Sequence, residues 1–153
     1  MGFFINDSKP TPTGRQMERL LNEIKNKTVV VGFNGTSGTE EDGTSIAYIA
    51  AWNEFGTIHI PSRPFMRDTV KNRKDEITKK AQRALWAEFM QGGTAESVLN
   101  KIGIITKSAL QREIRDGEFV PNAPETIARK GSSKPLIDTG RMRQSIIYEI
   151  RKG

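Results

Sequence analysis

The sequence predicts an α+β fold: a small antiparallel or mixed sheet packed against a long antiparallel helical hairpin, with extended polar arms. Three observations carry this. Apolar residues recur at helical spacing on both sides of Gly92-Gly93, which predicts two long helices joined by a tight turn. Residues 28–33 and 146–151 are β-branched or alternate in polarity, as strands do. Residues 1–13 and 116–135 are broken by Pro, Gly and polar side chains, which predicts an N-terminal arm and, within a single domain over 14–153, an interaction arm.

Element by element, Thr13 to Gln16 has capping-box spacing and Met17, Leu20, Leu21 and Ile24 form an apolar stripe, so a helix is placed over 14–26. Residues 28–33 form a buried strand, and the Gly-rich, acidic 34–44 a mobile loop. Residues 45–55 fit helix or strand, and their alanines favour a helix ended by Gly56 in the left-handed region. Pro61 and Pro64 keep 57–63 extended, with 57–60 a candidate third strand, and Pro64 opens a helix to about Met90 with Asn72 a candidate bend. Thr94 caps a second long helix over 95–115. A short helix is placed at 125–130 and another at 140–145, capped by Asp138 or Thr139. No internal repeat is present.

Composition narrows the chemistry. The 153 residues include no Cys and a single His, which excludes disulfides, thiolate metal sites and Cys nucleophiles and leaves His59 as the only imidazole for a triad or a zinc site. No apolar run approaches the ~20 residues of a membrane span. An apolar fraction of 35% with mean hydropathy −0.54 is low for a self-sufficient globule and suits a subunit completed by partners. Charge is uneven: residues 1–60 hold 5 Lys/Arg and 7 Asp/Glu, residues 61–153 hold 19 and 11. That asymmetry fits a polyanion or an acidic partner near the second half, or helices solvated on one face.

No catalytic, cofactor-binding or metal-binding set emerges, and the chain reads as a non-enzyme. Gly38 to Ser45 has the glycine spacing of a phosphate loop, but Thr44 stands where lysine belongs and Glu40-Glu41-Asp42 would repel phosphate. The carboxylates Asp68, Asp75, Glu76, Asp116, Glu118 and Asp138 form no tight metal signature, although a fold-assembled, metal-dependent nuclease stays open as a rival. Lys71, Lys74, Lys79, Lys80 and Arg83 are candidate contacts to DNA or an acidic partner, which makes a nucleic-acid-binding module over 63–83 the main alternative. Trp52, Phe55, Arg63, Phe65 and Arg67 flank the Pro-containing loop and are candidate subunit-interface residues. Gly56, Asp138, Thr139 and Gly140 are assigned to structural turns.

Three segments taken in order, Ala50-Ala51-Trp52-Asn53-Glu54-Phe55-Gly56-Thr57, Ile60-Pro61-Ser62-Arg63-Pro64-Phe65-Met66-Arg67 and Pro135-Leu136-Ile137-Asp138-Thr139-Gly140-Arg141-Met142-Arg143-Gln144-Ser145-Ile146, carry a resemblance. With the Val30 to Phe33 strand before them and the helical hairpin between the second and third, they resemble the neck and tail-completion proteins of tailed bacteriophages, also described as minor tail or virion morphogenesis proteins. Met142 stands where that family more often has leucine. The resemblance implies a structural subunit, without a cofactor and away from membranes, that forms a hexameric or dodecameric ring. It implies a place at the neck or tail top of a virion assembled in the host cytoplasm. The implied partners are further copies of the chain, the neck, connector and tail-tube proteins, and the passing genomic DNA.

Overall fold

The computed structural model of the chain describes residues 12–153. The expected arm over 1–13 therefore lies almost wholly outside the described residues, and its last two positions are already helical. Helix α1 (Pro12–Lys25) opens on proline, whose fixed φ and missing N–H suit a first turn, so Thr13 lies inside the helix rather than capping it. Most of its stripe packs: Leu20 is buried against Phe89, Ala95 and Val98, with Met17 and Ile24 beside it, whereas Leu21 stays exposed.

Strand β1 (Lys27–Gly32) pairs antiparallel with β2 (Ile147–Lys152), in a register that sets Lys27 opposite Lys152 and Gly32 opposite Ile147. Among the described residues the sheet has these two strands, and the expected contribution of 57–60 is not made. That segment is instead a turn: Thr57 N donates to Ile60 O at 2.8 Å, and Thr57 Oγ1 accepts from His59 N and Ile60 N. Four backbone groups that a strand would offer to a neighbour, Thr57 N, His59 N, Ile60 N and Ile60 O, are thus used locally.

Residues 34–44, expected as a mobile loop, hold a 3₁₀ turn at Gly35–Ser37 and, closed with Ser45, a tight hairpin. Asn34 caps the turn, with its Oδ1 accepting from Thr36 N at 2.8 Å. Thr39 bridges Ser45, Glu40 N donates to Thr44 O, and Asp42 Oδ1 accepts from Thr44 N. Asn and Asp side chains that satisfy nearby backbone N–H groups give this polar stretch its shape.

Helix α2 (Ile46–Phe55) settles the ambiguous segment as helix. The long pair follows: α3 (Phe65–Met90), with Pro64 at its cap rather than its first turn, and α4 (Ala95–Asp116), with Thr94 Oγ1 accepting from Ser97 N at 3.1 Å. α3 runs unbroken through Asn72, so the candidate bend interrupts no helical residue. Charged ties cross the hairpin. Glu113 accepts from Arg73 Nε at 2.6 Å and Asn72 Nδ2 at 3.0 Å, Glu76 accepts from Arg112 at 2.7 Å, and Glu88 pairs with Lys101 and accepts from Ser97 Oγ.

The sheet lies on α4. Gly103, mid-helix, is where it approaches: a Cβ there would overlap the Tyr148 ring. Glycine costs about 1 kcal/mol of helix propensity at such a position, and here it permits the strand–helix contact. Tyr148 Oη then donates to Asn100 Oδ1 at 3.1 Å. Two short helices, α5 (Pro124–Lys130) and α6 (Arg141–Gln144), complete the chain. The main core gathers Ile46, Ala50, Phe65, Leu110, Ile114, Leu136, Met142 and Ile146. All three segments that carry the family resemblance contribute to it, and Met142 fills its place as a buried, leucine-sized group.

Candidate functional site

The first two of those segments build one rigid corner between α2 and α3. Glu54 is buried at the last turn of α2, and its carboxylate turns onto the start of α3. It accepts from Met66 N at 2.8 Å, Arg67 N at 3.3 Å and Arg67 Nε at 2.9 Å. A carboxylate from another element thus caps the N–H groups that proline leaves without a local acceptor, at the end where the helix dipole favours negative charge. The chain between is bonded at each step. Arg63 N donates to Asn53 O at 2.6 Å, Ser62 Oγ to Glu54 O at 2.9 Å and Arg67 Nη2 to Glu54 O at 2.7 Å.

Gly56 makes the turn possible. Its φ of +78° and ψ of 168° lie in a region essentially confined to glycine, rather than the left-handed helical region expected of it. A Cβ there would meet Ser62 N at 2.9 Å.

This corner presents an aromatic face to solvent. Tyr48, Trp52 and Phe55 recur at i, i+4 and i+7 on the side of α2 opposite Ile46, Ala50 and Glu54, so they share one outer stripe. Tyr48 stacks on Trp52, with ring centroids 6.2 Å apart and planes at 17°. Phe55 is 73% exposed, and Arg67 lies over its ring at 5.6 Å. Ile58, at the tip of the bonded turn, is 94% exposed. Large apolar side chains held this far into water by a fixed backbone form a patch of the kind that marks contact sites.

Of the five residues expected at a subunit interface, Trp52, Phe55 and Arg67 are brought together on this surface, and two are not. Phe65 is 0% exposed and packs edge-on to Phe33 in the subunit's own core. Arg63 is buried as well. Its guanidinium donates to Val120 O at 2.8 Å, Asn122 Oδ1 at 3.0 Å, Asn53 Oδ1 at 3.2 Å and Pro121 O at 3.3 Å, and burial pulls its pKa below the ordinary value. Its role is internal: it fastens 120–122 to the corner, so the 116–135 arm is docked on its own subunit and contains α5.

The predicted basic set divides. Lys71, Lys74, Lys79 and Arg83 are exposed on α3 and form no ion pair among the described residues, whereas Lys80 is engaged by Glu76 at 2.6 Å. At the third segment, Gly140 has φ +80° and Thr139 Oγ1 accepts from Arg141 N at 3.3 Å, as a structural turn requires. Asp138 caps no N–H. It lies within electrostatic reach of Lys130, whose pKa is lowered chiefly by burial.

A cleft of about 850 Å³ opens between the 40–42 hairpin, the 121–130 segment and the 135–142 turn, with His59 at its rim. Within it Arg141 reaches Glu41 at 2.9 Å and Glu40 at 3.7 Å, while Arg63, Arg129 and Lys130 form no ion pair among the described residues. In the 38–45 hairpin the N–H groups of Glu40, Gly43 and Thr44 are spent on Thr44 O, Glu40 O and Asp42 Oδ1, so its glycine spacing forms no phosphate cradle. Among the described residues no group of three or more His, Asp or Glu converges as metal ligands, and no helix is long and apolar enough to cross a membrane.

The sequence reading missed Glu54 as a cap, Gly103 as a contact point, and Tyr48 and Ile58 as exposed apolar groups. The i, i+4, i+7 spacing of Tyr48, Trp52 and Phe55 was the available signal for the face. Nothing local marks Glu54, whose partners are set by the fold. No family model, curated protein or solved structure matches the chain.

Proposed function

We propose that the chain is a structural subunit of a tailed-bacteriophage virion that acts in head–tail joining or tail completion and assembles into a ring through the aromatic corner. The observation that carries the reading is the exposed stripe Tyr48, Trp52, Phe55 and Ile58, held on a corner that is hydrogen-bonded at nearly every residue. A preformed apolar surface loses little conformational entropy on contact, which is what an assembly interface needs. The phage role rests on the three resembling segments. They support it further in that all three contribute to one core and the first two build the corner, so the resembling residues form a packed unit. In a ring, such a surface meets a different surface of the next copy and the rotation closes.

Electron microscopy of particles from a phage lacking this protein tests the role. Filled heads beside complete, separate tails place it at joining, and overlong tails place it at tail termination. Normal infectious particles contradict the proposal.

A further inference from the structure

Away from the corner, the outer face of α3 carries an arrangement that the assembly reading does not use. Trp86 is 59% exposed, yet its indole is fixed against the buried Phe89, with centroids 5.6 Å apart. Lys79, Gln82 and Arg83 precede it at 7, 4 and 3 residues, which places all four on one side of the helix. Together with Ala87 they line a shallow groove of about 370 Å³. Lys79 and Arg83 have no ion-pair partner among the described residues, and neither do Lys71 and Lys74 further up the same helix. At about 100° per residue Arg83 falls beside Lys79 and Trp86, whereas Lys74 falls on the other side of the helix, so the cations beside the indole are Lys79 and Arg83, about 6 Å apart along the axis. Two carboxylates lie just upstream: Asp75, a turn before Lys79, and Glu76, which is held by Lys80 and Arg112.

We infer that this face docks single-stranded nucleic acid. Lys79 and Arg83 contact successive phosphates, a base stacks on the outer face of Trp86, and Gln82 lies alongside as a hydrogen-bonding group. Two adjacent cations in a groove beside a half-exposed aromatic are the parts that sequence-tolerant single-strand binding requires. An acidic protein segment would use the cations but has no need of the indole plane. A duplex offers phosphates and keeps its bases stacked away from the ring.

The test titrates the full-length chain with oligo(dT), a matched duplex, heparin and poly-glutamate while reading tryptophan fluorescence. The expected result is tightest binding to oligo(dT) with quenching, and a slope of log affinity on log salt of about −1.4, at about 0.7 for each of the two neutralised phosphates. Trp86→Ala is expected to remove the quench and cost on the order of 10-fold in affinity, and Trp86→Phe to keep most of the affinity. The exposed pair Lys79→Gln and Arg83→Gln is expected to flatten the slope to near zero. Circular dichroism checks that each variant stays folded. Equal binding of heparin or poly-glutamate, duplex binding without quenching, or no change in the Lys79→Gln/Arg83→Gln variant overturns the proposal.

Discussion

Phe55 and Phe65 stand ten residues apart in one continuous motif, and the fold sends them to opposite environments. Phe65 is enclosed by the core, so Phe65→Ala is expected to cost about 3–5 kcal/mol of stability in urea denaturation. Phe55→Ala removes an exposed ring, and is expected to change stability by less than about 0.5 kcal/mol while weakening self-association. Gly56→Ala forces a Cβ into a glycine-only region and against Ser62 N, an expected loss of about 1–3 kcal/mol. Glu54→Ala leaves the first N–H groups of α3 and the Arg67 guanidinium without their acceptor. Thermal melts are expected to show a loss of about 1.5–3 kcal/mol, with Glu54→Gln retaining part of it. At this scale the sequence was least legible. Phe55 and Phe65 share a composition and a neighbourhood, and only the direction of α2 against α3 separates them.

Secondary elements were far more legible, and for a physical reason. α3 and α4 declare themselves through periodic apolar residues, a Gly-Gly break and a Thr cap, all local signals. The missed elements are held by short-range hydrogen bonds that apolar periodicity does not report. The 57–60 turn depends on Thr57 closing its own hydrogen bonds, and the order in 34–45 on side-chain caps within a polar stretch. The hairpin's charged ties were likewise invisible, since Arg73 and Glu113 are far apart in sequence.

These ties predict acid lability of the hairpin. Hydrogen bonds from Lys80 and then Arg112 pull Glu76 from 4.5 to about 2. Lys101 and Ser97 lower Glu88, and Arg115 lowers Asp116. A carboxyl whose folded pKa is depressed contributes stability that is fully present above its unfolded value and is lost as pH falls through the folded one. Stability is therefore expected to fall between about pH 4.5 and about pH 2, read by helical ellipticity during acid titration. Glu76→Gln is expected to make that fall shallower, because one of the three titrating groups is gone.

For the whole molecule, the low apolar fraction acquires a location. Apolar side chains fill two clusters along the α3–α4 hairpin; of the large ones left facing water, Tyr48, Trp52, Phe55 and Ile58 gather on one corner, while others such as Trp86 and Met90 lie away from it. A chain that is sparing with apolar groups and still exposes these is organised for contact at that corner. Sedimentation velocity of the full-length chain tests this most directly, comparing the wild type with a Phe55→Ser and Ile58→Ser double variant at matched concentration. The account predicts that the wild type forms a closed oligomer of fixed multiple mass, and that the double variant sediments as a folded monomer with an unchanged melting curve. A wild type that stays monomeric at every concentration, or a double variant that forms the same oligomer, would contradict it.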